Sequence, residues 1–178
     1  MFSRGFRIAL LVLIVLMNIG CDQATKVIAR SRLEGRGTIS LAGNHFLLHY
    51  VENEGAFLSL GAALPRGTRT VIFIAFPVIV LGIMIGYIVR KGTSNLLLLM
   101  GFSFIIGGGL GNLIDRITRA GHVSDFMILR NRWLSSGIFN FADLAILVGA
   151  LLLLASSLRE ERGKHPPSQA ETPAPSKP

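Results

Sequence analysis

The chain has 178 residues, 51% of them hydrophobic and only 16% charged, with a mean hydropathy of +0.56, and its apolar residues fall in long uninterrupted blocks. That composition describes a membrane protein. The excess of 18 Lys plus Arg over 10 Asp plus Glu lies between the apolar blocks and reads as loop charge, not as a nucleic-acid surface. One cysteine, Cys21, excludes an intrachain disulfide and a Cys-rich zinc site, and the four histidines (45, 49, 122, 165) never form HExxH, so neither metal nor cofactor is expected.

A helix needs about 20 mostly apolar residues to cross a hydrocarbon core of roughly 30 Å. Four stretches qualify: about 6–21, 70–89, 95–114 and 138–155. Pro77 lies inside the second and predicts a kink there, which neighbouring groups in a membrane bundle can accommodate. An even number of spans places both termini on one side. That side carries eight of the 18 basic residues in short, charge-dense segments, which favours cytoplasmic termini, although the raw count alone does not decide.

The loop 26–69 is too long for a simple connection. Within it, TISLAGNHFLLHYVEN mixes β-branched, aromatic and alternating apolar residues, which predicts a small β-structured element at the membrane surface. From about residue 159 the chain turns Pro-rich and polar, and 159–178 reads as a disordered tail.

Polar residues inside the apolar blocks carry the functional signal, because a charge at the bilayer centre costs at least about 2.5–3.5 kcal/mol. Asn18, Asp22 and Lys26 repeat every four residues on the first helix, with Asp22 and Lys26 in ion-pair register. Taken alone, they could equally be an interfacial pair that ends the helix. In GGGLGNLIDR, Gly107 and Gly111 permit close approach of another helix, while Asn112, Asp115 and Arg116 share a face. The fourth helix, spanning from about 138, is predicted to begin with FNFAD, with Asn140 and Asp143 on a common face and Asp143 about five residues inside the span. Ahead of it, HVSDF places Asp125 in the preceding connection. Two carboxylates sharing one proton can activate water and polarise a carbonyl, which is aspartic-peptidase chemistry. A Ser/Lys nucleophile drawn from Ser31, Ser40 or Ser59 with Lys26 is the weaker alternative.

These motifs, DQATK (22–26), VENEGAF (51–57), GGGLGNLIDR (107–116), HVSDF (122–126) and FNFAD (139–143), taken in that order, resemble lipoprotein signal peptidase, or signal peptidase II. The resemblance covers roughly residues 6–158. It implies an all-α membrane fold of four transmembrane helices, with the small β element on the periplasmic side between helices 1 and 2. It further implies an inner-membrane aspartic peptidase of bacteria that cuts prolipoproteins before a diacylglyceryl-modified cysteine. Its catalytic pair falls on Asp125 and Asp143. Asn53, Gly55, Asn112, Arg116 and Asn140 match positions that shape the site or bind substrate, and Asp22, Lys26, Gly108 and Asp115 match supporting ones. Physical chemistry suggests that the Asn112 and Asn140 amides bond the dyad or substrate backbone, and that Arg116 pairs with Asp115 or a lipid phosphate. Gly109 is a third consecutive glycine where alanine would also serve, and could loosen the helix. The partners expected are diacylglyceryl-prolipoprotein substrates and membrane lipid, with no nucleic acid, for a monomer. The segment NEGAFLSL (53–60) is the expected mouth of the site, with Phe57 and Leu58 pressing into the interface.

Two readings compete. A lipoprotein modified at Cys21 is disfavoured by Asn18, which stands where an aliphatic residue is expected, and by three further spans. A small transporter or assembly scaffold with buried aspartates would also use intramembrane Asp and Asn, but paired internal repeats are absent.

Overall fold

The computed structural model describes residues 3–55, 61, 63–91 and 95–164. In chain order its elements are α1 (Arg4–Leu33), β1 (Ile39–Leu41), β2 (Phe46–Asn53), α2 (Arg66–Thr70), a π-helical turn (Val71–Ala75), α3 (Phe76–Lys91), α4 (Leu96–Thr118), β3 (Val123–Leu129) and α5 (Phe141–Lys164). Among the described residues, four helical segments are long and apolar enough to cross a membrane: Arg4–Leu33, Arg66–Arg90, Leu96–Thr118 and Phe141–Glu161.

The first span corrects the expectation of a helix ending near Cys21. Its buried residues, Val15, Asn18, Asp22, Lys26, Ala29 and Leu33, form one stripe at spacings of three and four. The polar pair therefore lies within a continuous helical seam, with its charges satisfied by the neighbouring helix, and has no reason to terminate α1. Leu13, Leu16 and Met17 stay exposed on the other side, as a lipid-facing surface does.

The second span runs from Arg66, earlier than expected. Proline cannot donate a backbone N–H and crowds the carbonyl four residues before it. In place of a break, the turn just ahead of Pro77 is widened to π geometry, with Phe76 N bonding Val71 O. The third span begins at the Asn95 cap, whose side chain accepts from Leu97 N and Leu98 N, and ends at Thr118. The fourth begins at Phe141 and continues to Lys164. Residues 138–140 are thus not helical, and 159–164, expected in the disordered tail, extend the helix. The rest of that tail, 165–178, lies outside the described residues, as do 56–60 of the expected mouth.

Helix α4 is central, packing against α5, α1 and α3. Its glycines allow this, each toward a different neighbour. A Cβ on Gly107 would sit 2.7 Å from Asn18 Cβ, one on Gly108 would overlap the Ala142 carbonyl oxygen, and one on Gly109 would meet Leu81 Cδ2 at 2.9 Å. One apolar core joins Val15, Leu81, Ile88, Leu99 and Ile106 across three of the spans.

The β element forms as expected but recruits a strand from elsewhere. Antiparallel β1 and β2 are joined by β3, from the connection between α4 and α5, in the order β1-β2-β3. A register shift between Leu48 and Val51 inserts one extra residue in β2, after which Val51 pairs with Asp125 and Asn53 with Val123. Asn53 thereby lies diagonal to Asp125 on the same face. Phe126 points the other way, into a cluster with Ala29 and Leu33 that anchors the sheet on the end of α1.

Candidate active site

The site lies where α1 and α4 finish, α2 and α5 begin, and the sheet covers the bundle. At the opposite end Arg4 reaches Val89 O, and Asn95 bonds Ser156 and Glu160, so the start of α1 and the far end of α5 share that end.

Asp125 is carried by β3 and is 2% exposed. Its position follows from two pairings: with β2 on one side, and with Phe139, which exchanges backbone bonds with Met127 at 2.9 Å, on the other. Asn53 Nδ2 donates to Asp125 Oδ2 at 2.9 Å and Asn140 Nδ2 donates to Oδ1 at 2.6 Å. Loss of water, above all, pushes the Asp125 carboxyl up to about 6, helped by the Asp143 charge and opposed by these two amides and by Lys26.

Asp143 is not five residues inside its helix but in its first turn. Asn140 Oδ1 accepts from Asp143 N at 3.0 Å, while Asp143 Oδ2 accepts from Asn140 N at 3.1 Å. This reciprocal pair is a capping box, in which each of two orphan backbone donors at a helix N-terminus is satisfied by the other residue's side-chain oxygen. The carboxylate therefore sits against the positive end of the helix dipole. Asp22 completes the cap from α1, its Oδ1 accepting from Ala142 N at 2.9 Å.

Two amides link the carboxyls. Asn112 Nδ2 donates to Asp143 Oδ1 at 2.8 Å, and Asn140 Nδ2 reaches Asn112 Oδ1 at 3.0 Å as well as Asp125 Oδ1. Asn112 Oδ1 also accepts from Lys26 Nζ at 3.0 Å, which settles which way that amide points. Lys26, fully buried, lies 2.8 Å from Asp22 Oδ2 and 3.1 Å from Asp115 Oδ2. A buried ammonium between two buried carboxylates thus underpins the amide chain.

Of the two partners expected for Arg116, Asp115 and a lipid phosphate, the first is not the one it takes; Asp115 is held by Lys26 and, at 3.7 Å, by Arg119. Its guanidinium instead donates to Gly55 O at 2.9 Å and Gly121 O at 3.1 Å, and covers the Phe73 ring at 5.1 Å. Gly121 carries φ +96°, open to glycine, as the chain reverses from α4 into β3. A cleft of about 330 Å³ opens beside this guanidinium, lined by Glu54, Arg66, Arg69, Phe73 and Ile117 among others.

Spacing arguments overlooked several residues. Gln23 Nε2 lies 3.1 Å from both Asp22 Oδ2 and Asp115 Oδ1, yet one position after Asp22 it falls outside any i, i+4 pattern. Buried Ser124 donates its backbone N to Asp115 Oδ2 at 3.1 Å, tying β3 to α4. Glu54 contacts Arg69 and His122 and gave no sequence signal beyond its charge.

A family model described as signal peptidase (SPase) II matches residues 14–159. The chain is 33% identical over 157 residues to the lipoprotein signal peptidase of Moorella thermoacetica, covering 87% of this chain and 98% of that one. It is 37% identical over 150 residues to that of Pelodictyon phaeoclathratiforme, covering 79% and 85% respectively. A solved bacterial membrane enzyme, determined by the in meso method at 2.3 Å resolution, superposes with a TM-score of 0.76 at 24% identity, covering 93% of this chain and 95% of that one, which speaks for the fold. The chain belongs to the signal peptidase II family.

Proposed function

We propose that this protein removes signal peptides from diacylglyceryl-modified prolipoproteins by aspartic catalysis, with Asp125 and Asp143 activating water before the lipidated cysteine. Membership of the family makes it a peptidase, and four apolar helices make it a multi-pass membrane protein. The observation that carries the mechanism is the two-amide chain, Asp125–Asn140–Asn112–Asp143, which holds two carboxyls from different elements in one network, buried at Asp125 and half-buried at Asp143.

In this reading Asp125, in the drier position and pushed up to about 6, holds the shared proton, and Asp143, at the helix N-terminus, is the carboxylate. Asp143 takes a proton as water oxygen adds to the scissile carbonyl carbon, and the carbonyl oxygen takes the Asp125 proton. The tetrahedral intermediate then collapses. The C–N bond breaks, Asp143 delivers its proton to the departing nitrogen, and the new carboxyl returns one to Asp125. Neither metal nor cofactor enters these steps. Asn112 and Asn140 keep the two oxygens in register, and Arg116 sets the backbone beside them.

The site lies at the membrane-water boundary, and we place it on the periplasmic side with both termini cytoplasmic, in a monomer of the bacterial inner membrane. A substrate whose acyl chains stay in lipid then presents its cysteine to the dyad without leaving the bilayer. Incubating detergent-solubilised protein with a diacylglyceryl prolipoprotein and with its unlipidated form tests the reading. Cleavage of the lipidated form alone is expected. Equal rates on both would remove the lipid requirement.

A further inference from the structure

We infer that Glu54, clamped between Arg69 and His122, is a positioning residue for the dyad: it holds the turn that aims Asn53 at Asp125 and the Gly55 carbonyl at Arg116. This rests on the peptidase reading above.

The clamp ties together three elements. Glu54 follows the last residue of β2, Arg69 lies on α2, and His122 lies in the turn between α4 and β3. Glu54 Oε2 pairs with Arg69 Nη1, and Glu54 Oε1 lies 2.9 Å from His122 Nε2. The other imidazole nitrogen, Nδ1, lies 2.8 Å from Arg119 O, an acceptor only. The ring thus bridges a carboxylate on one side and a backbone carbonyl on the other. Chiefly the Arg69 hydrogen bond, and next that of His122, hold the Glu54 carboxyl below the usual range.

Both flanking residues work in the site. Asn53 uses its Nδ2 on Asp125 Oδ2 and its Oδ1 on Gly55 N, each at 2.9 Å. Gly55 O accepts from Arg116 Nη2 at 2.9 Å. The β ladder ends with the pair Asn53–Val123, so beyond that point strand pairing no longer holds the backbone. The Glu54 side chain supplies the next attachment, and it reaches to the opposite wall of the cleft. Its side chain is 44% exposed and that of Arg69 24%, so the pair contributes little to global stability. Its value is directional, because a small displacement of the Asn53 amide alters the hydrogen bonding of a catalytic carboxyl.

The test is steady-state kinetics on a lipidated substrate for Glu54→Gln, Arg69→Gln, their double variant, and Arg69→Lys. Each Gln variant is expected to lower kcat about 5- to 10-fold with KM within about twofold and the melting temperature unchanged. The double variant should be no worse than the worse single, because either change opens the same clamp. Arg69→Lys, which keeps the charge, should recover most of the loss. A second readout is specific to positioning. The Asn53 bond favours the Asp125 carboxylate, so loosening it moves the alkaline limb of kcat/KM upward, by up to about one pH unit. Asp143, Lys26 and Arg116, whose charges also reach Asp125, are untouched by these changes.

Wild-type kcat and an unshifted limb in Glu54→Gln overturn the clamp. So does a change confined to KM, which would make Glu54 a substrate contact. If Glu54→Gln fails to fold, Arg69→Gln and His122→Gln decide by the same two readouts. Wild-type protein that cuts nothing overturns the peptidase reading itself, whereas wild-type turnover with unaffected clamp variants overturns only this inference.

Discussion

Replacing Lys26 by methionine removes one charge from a cluster in which Asp22, Lys26 and Asp115 are all fully buried. The two carboxylates do not suffer equally. Asp115 keeps Arg119 at 3.7 Å, the Ser124 backbone N–H and Gln23. Among the described residues Asp22 keeps neutral donors, Gln23 and Ala142 N, and is left as an uncompensated buried charge. Breaking a buried pair from one side costs about 3–5 kcal/mol, far more than the net worth of the intact pair. Lys26→Met should therefore lose about that much unfolding free energy, read by reversible denaturation in mixed micelles. Adding Asp22→Asn neutralises the stranded charge and should restore all but about 1–2 kcal/mol, since replacing both partners with uncharged groups of similar volume is close to neutral. Turnover would not return in the double variant, because Asn112 Oδ1 has still lost the Lys26 ammonium that orients it toward Asp143. A Lys26→Met protein within about 1 kcal/mol of wild type, or a double variant whose losses simply add, would refute this account of the cluster.

Two further expectations follow from the geometry. Gly108→Ala drives a methyl onto the Ala142 backbone oxygen, which cannot retreat, and should cost about 1–3 kcal/mol in melting experiments while displacing the Asn140–Asp143 cap and cutting kcat. Gly109→Ala meets Leu81 side-chain carbons, the nearest at 2.9 Å, in place of a backbone oxygen, and should cost less stability than Gly108→Ala and leave kcat near wild type; equal damage from both would show that α4 does not approach α5 through Gly108. For the pH profile, Asp125 must be protonated to donate. Activity should hold below its value of about 6 and fall above it as the proton leaves, so the kcat/KM profile, which reports the free enzyme, should carry an alkaline limb near that pH. Bound substrate removes more water and disfavours the charged form further, so the limb in kcat should lie higher; a kcat limb below that of kcat/KM would contradict the assignment of the proton to Asp125.

Much of this molecule was legible in its residues because bilayer chemistry makes polar groups conspicuous. Asn18, Asp22, Lys26, Asn112, Asp115 and Asp143 stand out against apolar blocks; Asn18, Asp22, Lys26 and Asp115 are buried, while Asn112 and Asp143, in the first turn of α5, are half-buried. The element boundaries were harder, for identifiable reasons. The end of α1 was misplaced at Cys21 because a polar pair reads as a helix exit until its partner Asp115, on another span, is known. Strand β3 was hidden because Ser124 and Asp125 interrupt its apolar run, and because its partner β2 lies 72 positions back along the chain at the Asn53–Asp125 bond. The depth of Asp143 was misjudged because Ile138 and Phe139 read as the start of the apolar helix, whereas Phe139 is spent on bridging Met127. For Arg116, charge alone suggests Asp115 or a lipid phosphate as partner, whereas the carbonyls it holds are backbone groups of Gly55 and Gly121 that no side-chain pattern reveals.

The central claim is that Asp125 and Asp143 act as one unit on a single water. The most direct measurement compares turnover of a lipidated prolipoprotein by Asp125→Asn, Asp143→Asn and the double variant, with membrane insertion and melting verified for each. An amide can neither accept a proton from water nor pass one to its partner, so each single variant should lose activity to background. The double should lose no more, since members of a concerted pair do not contribute additively. Wild-type-like cleavage by either single variant, or a double variant whose loss is the product of two partial losses, would contradict a shared-proton dyad at these two residues.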